Sequence, residues 1–216
     1  NLKTGEEYVE SYDKLILSPG AHPIRPNLEG VDLPHVFTVR NVVDIEKIKS
    51  YIQNEKVENV AVIGGGFIGV EVAENLRLAG YNVSLIEFAN QVLAPFDYDM
   101  VQIIHKELFD KGVKLILNDG LEKIEENFIW TQSGKQMKAE AVILAVGVRP
   151  ETKLAKDCGL DIGETGGIKV DHNYRTSDEH IYAVGDAIEV YHRLLHKPTR
   201  LALAGPAQKQ ARAAAD

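Results

Sequence analysis

Apolar residues fall along this chain in two alternating rhythms. Short continuous runs, "NVAVI" at 59–63, "NVSLIE" at 82–87, "VKLILN" at 113–118 and "EAVILAVGVRP" at 140–150, are rich in Val, Ile and Leu. Apolar runs of this length with little polar alternation predict strands buried on both faces. Between them, apolar residues recur three and four apart. Positions 68, 72, 73, 76 and 79 predict a helix over 67–79 that stops at Gly80. Ile45, Ile48 and Ile52 share one face of a helix capped by Asn41, and 97–112 reads as a third helix, with Asp97 as N-cap and Gly112 at its end. Short alternating segments over 121–138, broken at Ser133-Gly134, predict an antiparallel meander. The order strand, helix, strand, helix, strand, meander, strand is that of an α/β fold with a parallel sheet. Such sheets take ligands at the carboxyl ends of their strands. The opening "NLKTGEEYVESYDKLIL" reads as a polar hairpin running into a buried strand, and the closing "AGPAQKQARAAAD" as a helix.

The junction after the first of these strands carries chemistry. Gly64, Gly66 and Gly69 stand in a GxGxxG pattern between strand 59–63 and helix 67–79. The three have separate tasks: Gly64 permits a tight turn, Gly66 lets backbone approach a pyrophosphate, and Gly69 lets the helix pack close to the sheet. Phosphate oxygens would sit on the free N–H groups and positive dipole end of the helix. The second strand ends in Glu87, about 20 residues on, where an acid bonds the ribose hydroxyls of a dinucleotide. A carboxylate there repels a 2′-phosphate, and the following "FANQ" supplies no Arg or Lys to hold one. NAD(H) is therefore expected over NADP(H).

Composition narrows the classes. A formal net charge of -8 argues against a nucleic-acid partner, which would need a basic stripe. The longest apolar run, 141–148, is strand-sized and far short of a bilayer span, and no basic-then-apolar leader opens the chain. One cysteine excludes an internal disulfide and a Cys-based zinc cluster, which makes a reducing cytoplasm the expected compartment. None of the eight tyrosines is followed by Lys at the Tyr-x-x-x-Lys spacing of a direct alcohol dehydrogenase. His192 and His196 stand four apart with Glu189 nearby, but without a third good ligand, and no metal is expected. His105 reads as a surface or packing residue of its helix.

Two further motifs flank the nucleotide unit. "YDKLILSPGA" at 12–21 is a strand ending in a Ser-Pro-Gly turn, and "TSDEHIYAVGDA" at 176–187 is a strand ending in Gly185-Asp186. Together with "GVRP" at 147–150 and "LALAGPAQKQARAAAD" at 201–216, they resemble the flavoprotein pyridine nucleotide–disulfide oxidoreductases, in the branch of coenzyme A-disulfide reductases, NADH oxidases and NADH peroxidases. The resemblance covers essentially the whole chain. It implies an FAD/NAD(P)-binding Rossmann-like fold in which an NAD domain, 41–150, is inserted into an FAD domain. The latter would be represented by 1–40 and by 151–216, both ends reading as cut from a longer enzyme.

By the same resemblance, Gly64, Gly66, Phe67, Ile68, Gly69, Glu71, Glu87 and Gly147 would contact NAD, and Ser18, Gly20, Gly185, Asp186, Leu203 and Ala204 would contact FAD. Phe67 would cover the flavin face or pack the helix start; Glu71, in the first helical turn, would meet the nicotinamide end or favour the helix dipole. Hydride would pass from NADH to flavin and on to a small-molecule acceptor, a disulfide, persulfide, peroxide or oxygen. The redox cysteine and a C-terminal dimerisation domain, through which the full-length protein would form a homodimer, are not in this sequence. No catalytic residue is therefore assigned here, and Cys158 reads as a packing thiol. A flavin reductase of a ferredoxin or rubredoxin, and a non-catalytic NADH-binding module, are the alternative readings.

Overall fold

The computed structural model describes all 216 residues, which form two compact units: 1–22 with 149–216, and 23–148. In the discontinuous unit the chain begins with β1 (Leu15–Leu17), and β2 (Ala21–Pro23) carries it onward. The continuous unit then runs β3 (Val36–Thr38), α1 (Val42–Asn54), β4 (Asn59–Ile63), α2 (Phe67–Leu78), β5 (Asn82–Ile86), α3 (Tyr98–Asp110) and β6 (Lys114–Ile116). It continues through β7 (Leu121–Ile124), β8 (Phe128–Thr131), β9 (Gln136–Lys138) and β10 (Ala141–Leu144). The chain returns by β11 (Val148–Pro150) to α4 (Lys153–Asp157), β12 (Ile168–Lys169), β13 (Ile181–Ala183), β14 (Ile188–His192), β15 (Lys197–Thr199) and α5 (Ala204–Ala215).

The continuous unit is a three-layer sandwich around a parallel five-stranded sheet of order β3-β10-β4-β5-β6. Side chains alternate across a strand, so β4 divides its apolar run between two cores. Val62 packs with Ala73 of α2 and Leu108 of α3, and Val60 with Ile48 and Ile52 of α1. Ala61 and Ile63 face the other way, against Leu121, Ile129 and Met137 of the antiparallel meander β7-β8-β9. Both faces of the sheet are thus covered, which is why its strands tolerate no polar alternation. A reciprocal capping box starts α1: Asn41 Oδ1 accepts the Asp44 N–H at 3.1 Å, and Asp44 Oδ2 accepts the Asn41 N–H at 3.2 Å.

In the discontinuous unit β1 pairs in parallel with β13, Leu15 opposite Ile181 and Leu17 opposite Ala183, and β12-β14-β15 form a small sheet. Leu17, Ala155, Ile168, Ala183 and Ile188 make its core. No helix is long and apolar enough to cross a membrane.

Several expectations are corrected. Residues 1–11 form no hairpin; they are exposed and carry no strand, because their alternating pattern has no sheet to join. The run 140–150 is not one strand: it breaks into β10 and β11 at Gly147, whose φ of +106° is closed to strand geometry. Ile45, Ile48 and Ile52 do line one groove from α1, but Ile45 is 47% exposed where the other two are buried. Asp97 occupies the N-cap position of α3, but its side chain makes no capping bond.

Candidate functional site

At the carboxyl ends of β4, β5 and β10 the continuous unit opens a cleft of about 580 Å³. Its floor is the glycine turn, and each glycine there has its own steric reason. A Cβ on Gly64, at φ +103°, would stand 2.4 Å from the Ala145 carbonyl oxygen. A Cβ on Gly69 would stand 1.8 Å from the Gly64 carbonyl oxygen, so α2 seats directly on the turn. Gly66 differs: no protein atom lies within 4 Å of the position its Cβ would take. Its lack of a side chain leaves free space at the entrance to α2, the place a ligand's phosphates would fill.

The start of α2 has unused donors. Gly66 is its N-cap and supplies no side chain, and the first bond of the helix is from the Val70 N–H to the Gly66 carbonyl at 3.0 Å. The N–H groups of Phe67 and Ile68 precede that bond and point out of the helix end, with the dipole behind them. A diphosphate fits this arrangement without any cation. The cleft lining contains no Lys, Arg or His; its ionisable members are Glu87 and Asp119.

Glu87 closes β5 and is half-buried in the cleft wall. Its carboxylate is fixed by its surroundings: Oε2 accepts the Gly65 N–H at 2.5 Å, and Oε1 accepts the Ala89 N–H at 2.7 Å. Each oxygen keeps a further lone pair for a hydroxyl donor. Sequence reasoning did not anticipate these bonds, which couple the acid to the glycine turn. Asp119 lies deeper, 4% exposed, and accepts the Ser133 N–H and hydroxyl at 3.0 and 2.6 Å. Burial works to raise its carboxyl, but the bonds from Ser133 and Thr131 and the charge of Lys135 outweigh it and hold the group at about 2.

The cleft gathers Gly64, Gly66, Phe67, Glu87 and Gly147 of the expected NAD contacts. Gly69 lies under the turn. Ile68 and Glu71 instead line a separate apolar groove of about 910 Å³ between α1 and α2, which also takes one side of Phe67. Glu71 is the fifth residue of α2, outside its first turn, where no acidic residue stands. Phe67 is 55% exposed and meets Phe96 edge to face, ring centroids 6.0 Å apart.

Sequence reasoning read residues 88–91 only for their lack of Arg and Lys and gave the segment 88–96 no structural role, yet it bounds the cleft through Phe88, Ala94 and Pro95. It has no periodicity, and side chain–backbone bonds hold it: Gln91 Nε2 donates to the Phe96 carbonyl at 2.9 Å, and the Val92 N–H donates to His105 Nε2 at 3.2 Å. His105, expected as a surface or packing residue, is thus a hydrogen-bond acceptor.

Within the discontinuous unit, the FAD-assigned residues fall at strand and helix ends. Ser18 follows β1, and the Val184 N–H donates to the Leu17 carbonyl at 3.0 Å, setting the Gly185-Asp186 turn beside that strand's end. Gly20 has φ +74° and open space at its Cβ position. Gly185 has φ +81°, and its N–H donates to Oε1 of the buried Gln210 on α5 at 2.8 Å. Leu203 is the N-cap of α5 and Ala204 its first residue; both are exposed, and no side chain caps the helix. The two histidines four apart do not lie on a helix. His192 ends β14 and His196 sits in the turn to β15, while Glu189 is buried and accepts the Thr165 N–H and hydroxyl at 2.6 and 2.7 Å.

Known proteins share this arrangement. The family profile of pyridine nucleotide-disulphide oxidoreductase matches residues 1–211. The NADH oxidase of Methanocaldococcus jannaschii is 43% identical over 192 residues, 87% of this chain and 43% of that protein. The coenzyme A disulfide reductase of Staphylococcus haemolyticus is 34% identical over 98% of this chain and 47% of its own length. The crystal structure of reduced Bacillus anthracis CoADR-RHD superposes with a TM-score of 0.96 at 47% identity, covering 100% of this chain and 39% of that one. The chain spans about half the length of the curated relatives it matches, or somewhat less. With the profile running from the first residue almost to the last, over both units and the glycine-turn cleft, the chain belongs to the pyridine nucleotide-disulphide oxidoreductase family.

Proposed function

We propose that the continuous unit is the NAD(H)-binding domain of an FAD-dependent oxidoreductase and that the discontinuous unit is part of its FAD-binding domain. The observation that carries the reading is the cleft at 64–69: an uncapped helix start, a glycine with free space above it, and a carboxylate set to accept from a ribose, with no basic residue in the lining. Gly66 and the N–H groups of Phe67 and Ile68 would hold the pyrophosphate. Glu87 would accept from the adenosine ribose, and Gly147, at the end of the β10 run, would lie toward the nicotinamide. The missing cation matters as much as the acid present. A 2′-phosphate in this cleft would face Glu87 with nothing to neutralise it, which supports NADH over NADPH.

Bound together, the two cofactors would supply hydride transfer from nicotinamide to flavin and onward to an acceptor of the disulfide, persulfide, peroxide or oxygen type; the names of two relatives, an NADH oxidase and a coenzyme A disulfide reductase, support the oxygen and disulfide members. The work of this chain is to position and to exclude water. Phe67, exposed beside the cleft, would cover the flavin-facing end. Ser18, Gly20, Gly185, Asp186, Leu203 and Ala204 would line the flavin side, with the free N–H groups at the start of α5 offering positive potential to it.

Titration calorimetry of this chain tests the reading. NADH should bind, NADPH at least about tenfold more weakly, and FAD hardly at all. Tighter binding of NADPH would overturn the cofactor assignment, and no binding of either nicotinamide nucleotide would overturn the site.

A further inference from the structure

We infer that His105 of α3 is a positioning residue for the nucleotide cleft, acting on Glu87 through the segment 88–96. The inference rests on the NAD(H) reading of the cleft. Its physical basis is a run of contacts that joins three separate pieces of chain: α3, the stretch 87–93 and the glycine turn. His105 Nε2 accepts the Val92 N–H at 3.2 Å. The next N–H along, that of Leu93, donates to the Gly65 carbonyl at 2.7 Å. The Gly65 N–H in turn donates to Glu87 Oε2 at 2.5 Å.

Packing reinforces the same path. Val92 is fully buried, and its Cγ1 lies 2.8 Å from where a Gly65 Cβ would stand, so no slack separates the segment from the glycine turn. Leu93 is held at φ +50°, a conformation that costs a non-glycine residue energy and persists only where its surroundings impose it. The two N–H donors that impose it here, Val92 and Leu93, are claimed by α3 on one side and by the glycine turn on the other. Removing either acceptor frees the segment to relax, and Gly65 and the carboxylate it orients relax with it.

The chemistry of the bond defines the state of the imidazole. A backbone N–H can only donate, so Nε2 must present a lone pair, which places the proton on Nδ1 of a neutral ring. Burial alone acts on the group and lowers its pKa, favouring that neutral form. Of the charged residues on α2 beside α3, Arg77 donates to the Lys111 and Tyr81 carbonyls and Glu74 is exposed. The segment 88–96 has no ionisable side chain, and the charged neighbours of His105 on α3, Lys106 and Glu107, are paired with Asp110 and Lys111. A protonated ring would set N–H against N–H and release Val92.

The test is NADH titration of the full chain in three forms: wild type, His105→Phe and His105→Gln. Phe keeps ring volume but removes the acceptor; Gln keeps an acceptor oxygen at similar reach. The expected result is roughly three- to tenfold weaker NADH binding for His105→Phe, with His105→Gln within about twofold of wild type. Equal affinity in all three, or equal loss in both variants, overturns the inference while leaving the nucleotide site standing. Absence of NADH binding by the wild type removes the site itself and the inference with it. Should His105→Phe fail to fold, the wild type decides. Its NADH affinity should fall as the pH drops below 6.5, the ordinary imidazole value, with the midpoint at which the 15N resonances of His105 report protonation. Unmatched midpoints, or a neutral ring protonated on Nε2, overturn it.

Discussion

Gly66 and Gly69 stand three residues apart and should fail in opposite ways. A Cβ at Gly66 meets no protein atom, so Gly66→Ala should change stability by no more than about 1 kcal/mol, the cost of a poorer N-cap. The methyl occupies the space proposed for the pyrophosphate, and NADH affinity should drop at least about tenfold. A Cβ at Gly69 lands on the Gly64 carbonyl, so Gly69→Ala should destabilise by about 1–3 kcal/mol and show in the melting temperature before any ligand is added. Melting curves and NADH titrations of the two variants check this together; equal melting losses would mean that Gly66 serves packing. Glu87 obeys a different logic, because its carboxylate holds two backbone N–H groups as well as facing the cleft. Glu87→Gln retains one acceptor oxygen and loses the charge. It should bind NADH more weakly while narrowing the preference against NADPH, read as the ratio of the two dissociation constants.

The elements around the site were legible in proportion to how local their causes are. The strand–turn–helix at 59–78 could be read because three glycines and two apolar periodicities act within twenty residues. The segment 88–96 could not: Leu93 leans on Gly65, Val92 on His105 and Gln91 on Phe96, and no pattern in the sequence announces such bonds. Residues 1–11 alternate like a hairpin without forming one, since strands as short as β1 persist only against a partner, here β13 more than 160 residues away. The meander is another element tied down at a distance. Asp119 anchors its β8–β9 turn through Ser133, and Glu140, at the start of β10, accepts the N–H groups of Glu58 and Asn59 at 2.8 Å each. Both carboxyls are held at about 2: burial raises each, and for Glu140 the bonds from Lys138, Asn59 and Glu58 outweigh it. A carboxyl lowered in the folded state stabilises the fold above its ordinary value and ceases to do so as the pH falls through the lowered one. The contribution of these two carboxyls should therefore be flat from pH 7 to about 5 and decline from about pH 4.5 towards 2, beneath a separate loss below pH 6.5 from His35 and His105, whose imidazoles burial keeps neutral in the fold. Asp119→Asn and Glu140→Gln should each cost about 1–3 kcal/mol at pH 7 and make the acid decline shallower, measured by urea unfolding at a series of pH values. An unchanged slope in both variants would assign the decline to other groups.

At the scale of the whole molecule, the two units differ in how much each owns of itself. Every residue lining the cleft falls between Pro26 and Gly147, inside the continuous unit 23–148. Three of the four apolar clusters lie wholly within it, including both faces of the parallel sheet. The discontinuous unit has one such cluster, assembled from 15–17 and from residues beyond 154, so its core exists only when distant pieces of chain meet. Closing a sheet between β1 and β13 costs the entropy of the long connection between them, offset by the three-residue pairing, that single cluster and a few further bonds such as β2 with β11 and the Glu151 N–H to the Gly20 carbonyl. Residues 23–148 expressed alone should therefore fold cooperatively and bind NADH within about threefold of the full chain, because no contact in the cleft is removed and every core residue of the unit is retained. In the intact chain, hydrogen exchange should be faster at the amides of β1 and β13 than at those of β4 and β5, since the former depend on a weaker, non-local assembly. Equal protection of the two strand pairs would mean that the discontinuous unit is as stable as the other, and loss of more than about tenfold in NADH affinity on excision would mean that the cleft depends on residues outside 23–148, and the assignment of nucleotide binding to the continuous unit alone would fall.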